Sequence, residues 1–505
     1  MSQNTFDLVV IGSGMGGLVS GVLFAKEGYK VCVLERNKQI GGNLQTYARN
    51  KVIFDSGVHY VGGLGEGQNL NQIFRYLNIM DKIKIHKMDQ DVVDAIMFAH
   101  EPGKVYRHAQ GYDRFIQNLV EDFPEEESAI RKYCEEIKRI CSKFPLYNLR
   151  VGEPFEKNSV LEIDTKTYIE SITSNKKLQN VLGGSNLLYA GEAYKTPLYV
   201  HALIINSYIE SSYRFKDGGS QIARLLAKEI RDRGGEVKTR KEVVNIVETH
   251  GKIEYVECAN GERYYGKIFI SNVHPAKTLD MAQSSLIKKV YRNRIQNLEN
   301  SISTFMVNVV LKKKSFPYKN HNVYYFQKDD VWSAIHYSPD EWPSGFALFY
   351  STRSDQDEWA DGITLMTYMR YEEVKPWNST FNTVTNEKNR GVEYEKFKEK
   401  KAKILIDYVS RVFPGIKENM VSYYVATPLT LRDYIGTDDG SLYGITKDYR
   451  DPLKTFISPR TKISNLFLTG QNLNMHGVLG VTMSAIVTSA EIFGMDYLLN
   501  KIRNA

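Results

Sequence analysis

Apolar and polar positions divide the chain into strand–turn–helix units at its two ends, with a longer mixed stretch between them. Phe6 to Ile11 is a continuous apolar run of strand length, the pattern of a strand buried on both faces. Leu18 to Lys26 follows as a helix stopped by Gly28, and Lys30 to Leu34 is a second buried strand ending at Glu35. Residues from about 70 to 210 read mostly as helix, clearest at Asn69–Leu77, Tyr112–Asp122 and Glu125–Phe144. Glu125, Glu126 and Glu127 make a helix-start face after Pro124.

Beyond that stretch, Ile222, Leu225, Leu226 and Ile230 recur at helical spacing behind Ser220, the expected N-cap, and Gly234-Gly235 end the helix. Val237 starts a strand. Val243–Glu248, Ile253–Cys258 and Arg263–Ile270 then form a β-meander that ends at Ser271-Asn272. Phe305–Leu311, Val323–Phe326, Phe346–Tyr350 and Thr364–Tyr371 are strand-like, and Tyr394–Phe413 is a long charged helix ended by Pro414-Gly415. The last apolar strand runs from Asn465 to Gly470. A final helix follows the segment from Gly477 to Met483 and continues through Ile486, Val487, Ala490 and Phe493.

The glycine turn Gly12-Ser13-Gly14-Met15-Gly16-Gly17 sits between the first strand and the first helix. In that context Gly12 permits the tight turn, Gly14 lets a pyrophosphate approach the backbone, and Gly17 lets helix and strand pack closely. Phosphates would sit at the helix N-terminus, where free N–H groups and the helix dipole favour negative charge. Glu35 would accept hydrogen bonds from a ribose diol and repel a 2′-phosphate, so NADP is disfavoured there. Gly41 and Gly42 allow a second backbone approach to the same ligand.

Composition narrows the class. With 505 residues, 42% hydrophobic and 25% charged, the chain has the make-up of a soluble globular protein of two or three domains. A net charge of +7 is too mild to imply nucleic-acid binding. The four cysteines, Cys32, Cys134, Cys141 and Cys258, form no C-x-x-C pair, so neither a metal site nor a disulfide framework is expected. The first strand begins within a few residues of the start, leaving no room for a signal peptide, and no apolar run approaches the ~20 residues that span a bilayer. A cytoplasmic protein is expected, soluble or peripherally membrane-associated. Lys312-Lys313-Lys314 is either a contact for an anionic membrane surface or a solvated loop.

Together the N-terminal glycine turn with Glu35, the Asp217-Gly218-Gly219 unit and the closing Leu468-Thr469-Gly470-Gln471 to Gly480 segment resemble the flavoprotein family of phytoene desaturases, carotenoid isomerases and retinol saturases. The phrases Phe54-Asp55-Ser56-Gly57-Val58-His59-Tyr60 and Thr427-Pro428-Leu429-Thr430 through Gly440-Ser441-Leu442-Tyr443-Gly444 look most like the retinol saturase and carotenoid isomerase branch. The resemblance covers almost the whole chain. It implies an α/β, two-dinucleotide-binding (Rossmann-like) FAD fold with an interleaved α+β substrate domain. The expected FAD domain is discontinuous (1–100, 215–290 and 450–505), and the substrate domain, with its helical subdomain, takes 101–214 and 291–449.

The resemblance also implies site residues. Gly12, Ser13, Gly14, Met15, Gly16 and Gly17 would surround the FAD pyrophosphate, with Glu35 on the adenosine ribose and Val243 at the adenine. Gly42, Asn43 and Leu44, with Gly41 before them, would lie along the pyrophosphate and flavin. Gly470 and Gln471 would lie by the ribityl chain, and Gly480, Val481, Thr482 and Met483 with the final helix N-terminus would lie near the flavin pyrimidine. Many relatives carry Arg where this chain has Asn43, so a phosphate contact is missing or comes from elsewhere, for example Arg36.

A polyene substrate would need a long apolar tunnel and no metal. His59 is the candidate proton donor or polarising group near the flavin, or else a hydrogen-bonded structural histidine; His476 carries the same alternatives, and Asp55 is expected to bond backbone in its turn. No second glycine-turn unit is present, so NAD(P)H would act only as a transient reductant. Two other readings stand beside the polyene oxidoreductase: an amine oxidase-like enzyme, and a non-catalytic prenyl-binding escort of the Rab GDP-dissociation inhibitor type. The sequence leaves the oligomeric state open.

Overall fold

A computed structural model describes residues 4–153, 155–351 and 358–505. The first strand, Thr5–Ile11, lies between Val31–Leu34 and Arg263–Ser271 and runs parallel to both. Glu236–Lys238 extends this sheet past Val31–Leu34. Leu466–Leu468 pairs in parallel with the carboxyl end of Arg263–Ser271, and the hairpin Val243–Thr249/Lys252–Cys258 pairs antiparallel with its amino end. The sheet thus draws strands from both ends and the middle of the chain.

Its apolar runs are explained by two-sided burial. Leu8 and Val10 pack on one face with the first helix, Met15–Lys26, and the closing helix, Gly477–Phe493. Phe6, Val9 and Ile11 pack on the other face with Val256, Leu466 and Leu468. The two helices close the sheet together, with Phe24 and Phe493 rings 4.6 Å apart.

A second seven-stranded sheet runs in the order Met420–Ala426, Ser303–Leu311, Gly362–Met369, Gly345–Tyr350, Asn322–Phe326, Asp94–Phe98, Tyr106–His108. All its pairings are antiparallel except Asn322–Phe326 with Asp94–Phe98. It shares its core with the helices Tyr112–Asp122, Glu127–Ser142 and Leu198–Glu210.

Three expectations are corrected. The stretch from 70 to 210 is mostly helical as read, but three strands missed by that reading, Ile85–Lys87, Asp94–Phe98 and Tyr106–His108, interrupt it. These are short, and Asp94–Phe98 is buried at every position, so no alternation marks it. Ser220 is the first helical residue rather than the N-cap, which is Gly219, and its hydroxyl bonds Thr46 Oγ1 at 2.8 Å. The first helix begins at Met15, three residues before the apolar periodicity shows it.

Candidate active site

The glycine turns of the first sheet face a cavity of about 1070 Å³, above the roughly 300–1,000 Å³ typical of small-molecule sites. Gly12, Gly14, Met15, Glu35, Arg36, Gly41, Gly42, Asn43, Leu44, Val243, Gln471 and Val481 all line it. Gly14 and Gly41 form a bridge between the two glycine turns, and Gly41 N–H donates to Ser13 O at 3.0 Å.

Glu35 is buried and holds this end rigid. Its carboxylate accepts the Ser13 N–H at 3.1 Å, the Ser13 hydroxyl at 2.6 Å and the Asn37 N–H at 2.8 Å. Glu35 and Val243 both line the cavity. Arg36 also lines the cavity, but its guanidinium donates to Asp433 O at 2.6 Å, so it is tied to the opposite wall.

Ser13, Gly16, Gly17, Gly470 and Thr482 do not line the cavity; they build it from behind. A Cβ on Gly17 would stand 2.2 Å from Gly12 O. Asn272, which sequence reasoning treated only as a strand end, is the hub: its side chain lies 2.5 Å from where Cβ atoms of Gly14 and Gly16 would stand, and 2.7 Å from that of Gly470. The Thr482 hydroxyl donates to Val478 O within the closing helix. That helix starts at Gly477, so its free N–H groups belong to the turn beginning there, with Gly480, Val481, Thr482 and Met483 farther along. Gly477, Val478 and Val481 face the dinucleotide-type cavity, whereas Gly480 and Met483 face a second one.

This second cavity, about 760 Å³, is an apolar tunnel. Its wall comes from helices and the second sheet, with Leu203, Tyr208, Met306, Tyr324, Phe349 and Met366 among its residues. It meets the first cavity at Gly57, Val58, Leu442, Tyr443, Gly477 and Val478, which line both. At the other end Phe155 and Leu453, 79% and 77% exposed, stand with Val151 and Phe456 on the surface, and the Lys157 ammonium lies 5.8 Å from the Phe456 ring.

His59 lines the tunnel with its ring stacked on Phe349 at 4.2 Å. Burial, reinforced by the nearby Arg214 guanidinium, pulls its pKa down to about 3, so it is neutral at physiological pH; its Nε2 has no hydrogen-bond partner among the described residues. Behind it lies a chamber of about 70 Å³ that Asp55, Arg214 and Asp217 also line. Asp55 bonds backbone as expected, though at Gly219 rather than in its own turn. His476 is held structurally: its Nε2 bonds Leu188 O at 3.2 Å, Tyr443 packs on its ring at 4.5 Å, and burial lowers its pKa to about 4. Lys312, Lys313 and Lys314 lie on an exposed turn and do not line the tunnel. Among the described residues no His/Cys/Asp/Glu group could hold a metal, and no helix is long and apolar enough to cross a membrane.

The parallel sheet and its glycine-lined cavity are those of the Rossmann-like dinucleotide-binding class. A family model described as an NAD(P)-binding Rossmann-like domain matches residues 10–77. The chain is 27% identical to an all-trans-retinol 13,14-reductase of Rattus norvegicus, over 96% of this chain and 85% of the relative. It is 25% identical to a chloroplastic prolycopene isomerase of Daucus carota, over 96% and 80%. In three dimensions it matches the crystal structure of an oxidoreductase from Methanosarcina mazei with a TM-score of 0.65 at 16% identity, over 95% of this chain and 99% of the other. Over almost its whole length the chain is thus similar to a retinol reductase and to a carotenoid isomerase.

Proposed function

We propose that the protein is an FAD-dependent oxidoreductase that saturates a carbon–carbon double bond of a hydrophobic polyene of the retinoid or carotenoid kind. The observation that carries this reading is the junction of a glycine-lined polar cavity with an apolar tunnel at Gly57, Val58, Leu442, Tyr443, Gly477 and Val478. FAD fits the polar cavity: Gly14 and Gly42 leave room where side chains would stand, Glu35 offers acceptors to the ribose, and two helix N-termini face the anionic groups. When bound, it supplies the hydride chemistry at its N5 atom. The protein's part is to hold the polyene across the junction and keep water out. Desaturation and redox-assisted isomerisation draw on the same geometry; saturation is favoured by the reductase among the relatives.

An amine substrate fits less well. Lys447 lines the tunnel with its ammonium bonded to Thr455 O and Leu473 O, and burial lowers its pKa only to about 8, so it stays largely charged and repels a protonated amine. An escort protein without redox chemistry would have no use for the intact glycine cavity. The exposed apolar rim beside Lys157 suits a lipid surface from which a polyene enters. Purification tests the cofactor: a yellow protein with flavin absorbance supports the reading, and a colourless protein that takes up no added FAD removes it. Anaerobic bleaching by simple amines, with none of the polyene reactions, would transfer the protein to the amine oxidase reading.

A further inference from the structure

The inner wall of the tunnel carries a chain of hydrogen bonds that neither the motifs nor the relatives assign. Tyr60 and Tyr324 both line the tunnel, and their hydroxyls are 2.7 Å apart. The Tyr60 hydroxyl also lies 3.0 Å from Asp94 Oδ2, while Asp94 Oδ1 accepts the Asn322 amide at 2.8 Å. Tyr324 is 0% exposed, Asp94 3% and Tyr60 4%, so the network is sealed in the tunnel wall, and a polyene filling the tunnel displaces water from beside it. A double bond reduced there takes its proton from a side chain.

We propose that Tyr324 is the catalytic proton donor for polyene reduction, with Tyr60 and Asp94 as the positioning residues that reload it through this chain. The proposal rests on the polyene-saturase reading above. One alkene carbon gains a hydride whose electron pair comes from the reduced flavin. The Tyr324 O–H bond breaks, and its proton bonds the other carbon. The Tyr60 proton moves to the Tyr324 oxygen, and the Asp94 carboxyl proton moves to the Tyr60 oxygen, leaving Asp94 as a carboxylate. Once product leaves, water entering the tunnel returns a proton through Tyr324 and Tyr60 to Asp94.

The chain has two hydrogen-bond directions, set by Asp94. As a carboxylate, Asp94 accepts from Tyr60, Tyr60 accepts from Tyr324, and no hydroxyl hydrogen points into the tunnel. As a carboxylic acid it donates to Tyr60, Tyr60 donates to Tyr324, and the Tyr324 hydrogen is free to point at the substrate. Burial raises the Asp94 pKa to about 6, against the lowering effects of Asn322, Tyr60 and Arg214. Burial also raises the Tyr60 and Tyr324 hydroxyls well above their usual value, so the carboxyl is the member that loses its proton. The other groups facing this network are Tyr208, whose ring lies 4.5 Å from that of Tyr60, Tyr443, which acts on Tyr324, and His108, opposite Asp94 in the sheet and itself lowered to about 4 by burial.

The test uses the flavin-loaded full chain, reduced with dithionite and mixed anaerobically with all-trans-retinol. Tyr324→Phe should slow flavin reoxidation by about 100-fold or more, the range for losing a general acid, and abolish its solvent deuterium isotope effect. Tyr60→Phe should slow it less, and Asp94→Asn should remove the rise in rate as pH falls through about 6. Infrared difference spectra of the resting protein should show a carboxyl band titrating near pH 6 that Asp94→Asn deletes and Tyr60→Phe shifts. A Tyr324→Phe variant within a few-fold of wild type, isotope effect intact, overturns the proposal. If the wild type itself reacts with no polyene, the functional reading fails first, and a carboxyl band absent or unmoved in Tyr60→Phe then overturns the proton chain independently.

Discussion

The Asp55 carboxylate accepts the backbone N–H of Gly219 at 2.7 Å, joining two small-residue segments 164 positions apart. A side chain on Gly218 would stand 2.5 Å from Thr46 Cγ2 and 2.8 Å from Asp55 Oδ1, so the Asp217-Gly218-Gly219 unit is shaped by this contact. Burial raises the Asp55 pKa to about 7. The sign follows: its contribution to stability is fully present below the unfolded carboxylate value and is lost as pH rises toward about 7. Asp55→Asn, which keeps an acceptor for Gly219, should therefore gain on the wild type between about pH 4 and 7 in thermal melts. Asp55→Ala leaves the buried N–H unpaired and should lose roughly 1–3 kcal/mol.

Glu35 should govern cofactor retention. Its hydrogen bonds to Ser13 fix the glycine turn. Glu35→Ala should weaken FAD binding by about 10-fold or more, since charge-assisted bonds are worth about 1.5–3 kcal/mol, with little change in far-ultraviolet circular dichroism. Flavin titration of the apoprotein measures it.

Acid should destabilise the fold from neutral pH downward. Burial lowers His59 and His201 to about 3 and His108, His321 and His476 to about 4. The unfolded chain binds these protons near pH 6.5 and the folded one does not, so stability falls as pH drops from about 6.5 toward 4, each such histidine costing up to about 1.4 kcal/mol for every pH unit crossed. Asp55 and Asp94 act in the opposite direction over part of this range but are outnumbered. Melting temperature should therefore be lower at pH 5 than at pH 7. Replacing His201 by Gln should flatten the dependence.

The tunnel rim should bind lipid. Replacing Phe155 and Leu453 together by Ser removes two side chains that are largely exposed. Partitioning onto anionic vesicles, measured by sedimentation, should fall about 10-fold or more, from roughly 1.5–3 kcal/mol per buried side chain. Catalysis on detergent-dispersed substrate should be unchanged.

The first sheet was legible because its strands are apolar and punctuated by glycine turns; Gly12, Glu35, Gly41 and Val243 all line one cavity. Asn272 was not, because its place beneath two glycine segments depends on the return of the chain at Gly470. Asp94 was hidden in a short buried strand with no alternation, so its meeting with Tyr60 and Tyr324 is visible only after the second sheet closes. The start of the closing helix was not legible, since Gly477 opens it with no side-chain cap to mark the turn.

The most direct measurement is flavin reoxidation across the cavity junction. Protein reduced anaerobically and freed of dithionite should regain its oxidised flavin spectrum on addition of all-trans-retinol or a lycopene isomer, with one equivalent of a polyene product two hydrogens heavier. Reduced flavin that stays bleached with every polyene, yet reoxidises with an imine, would contradict the assignment.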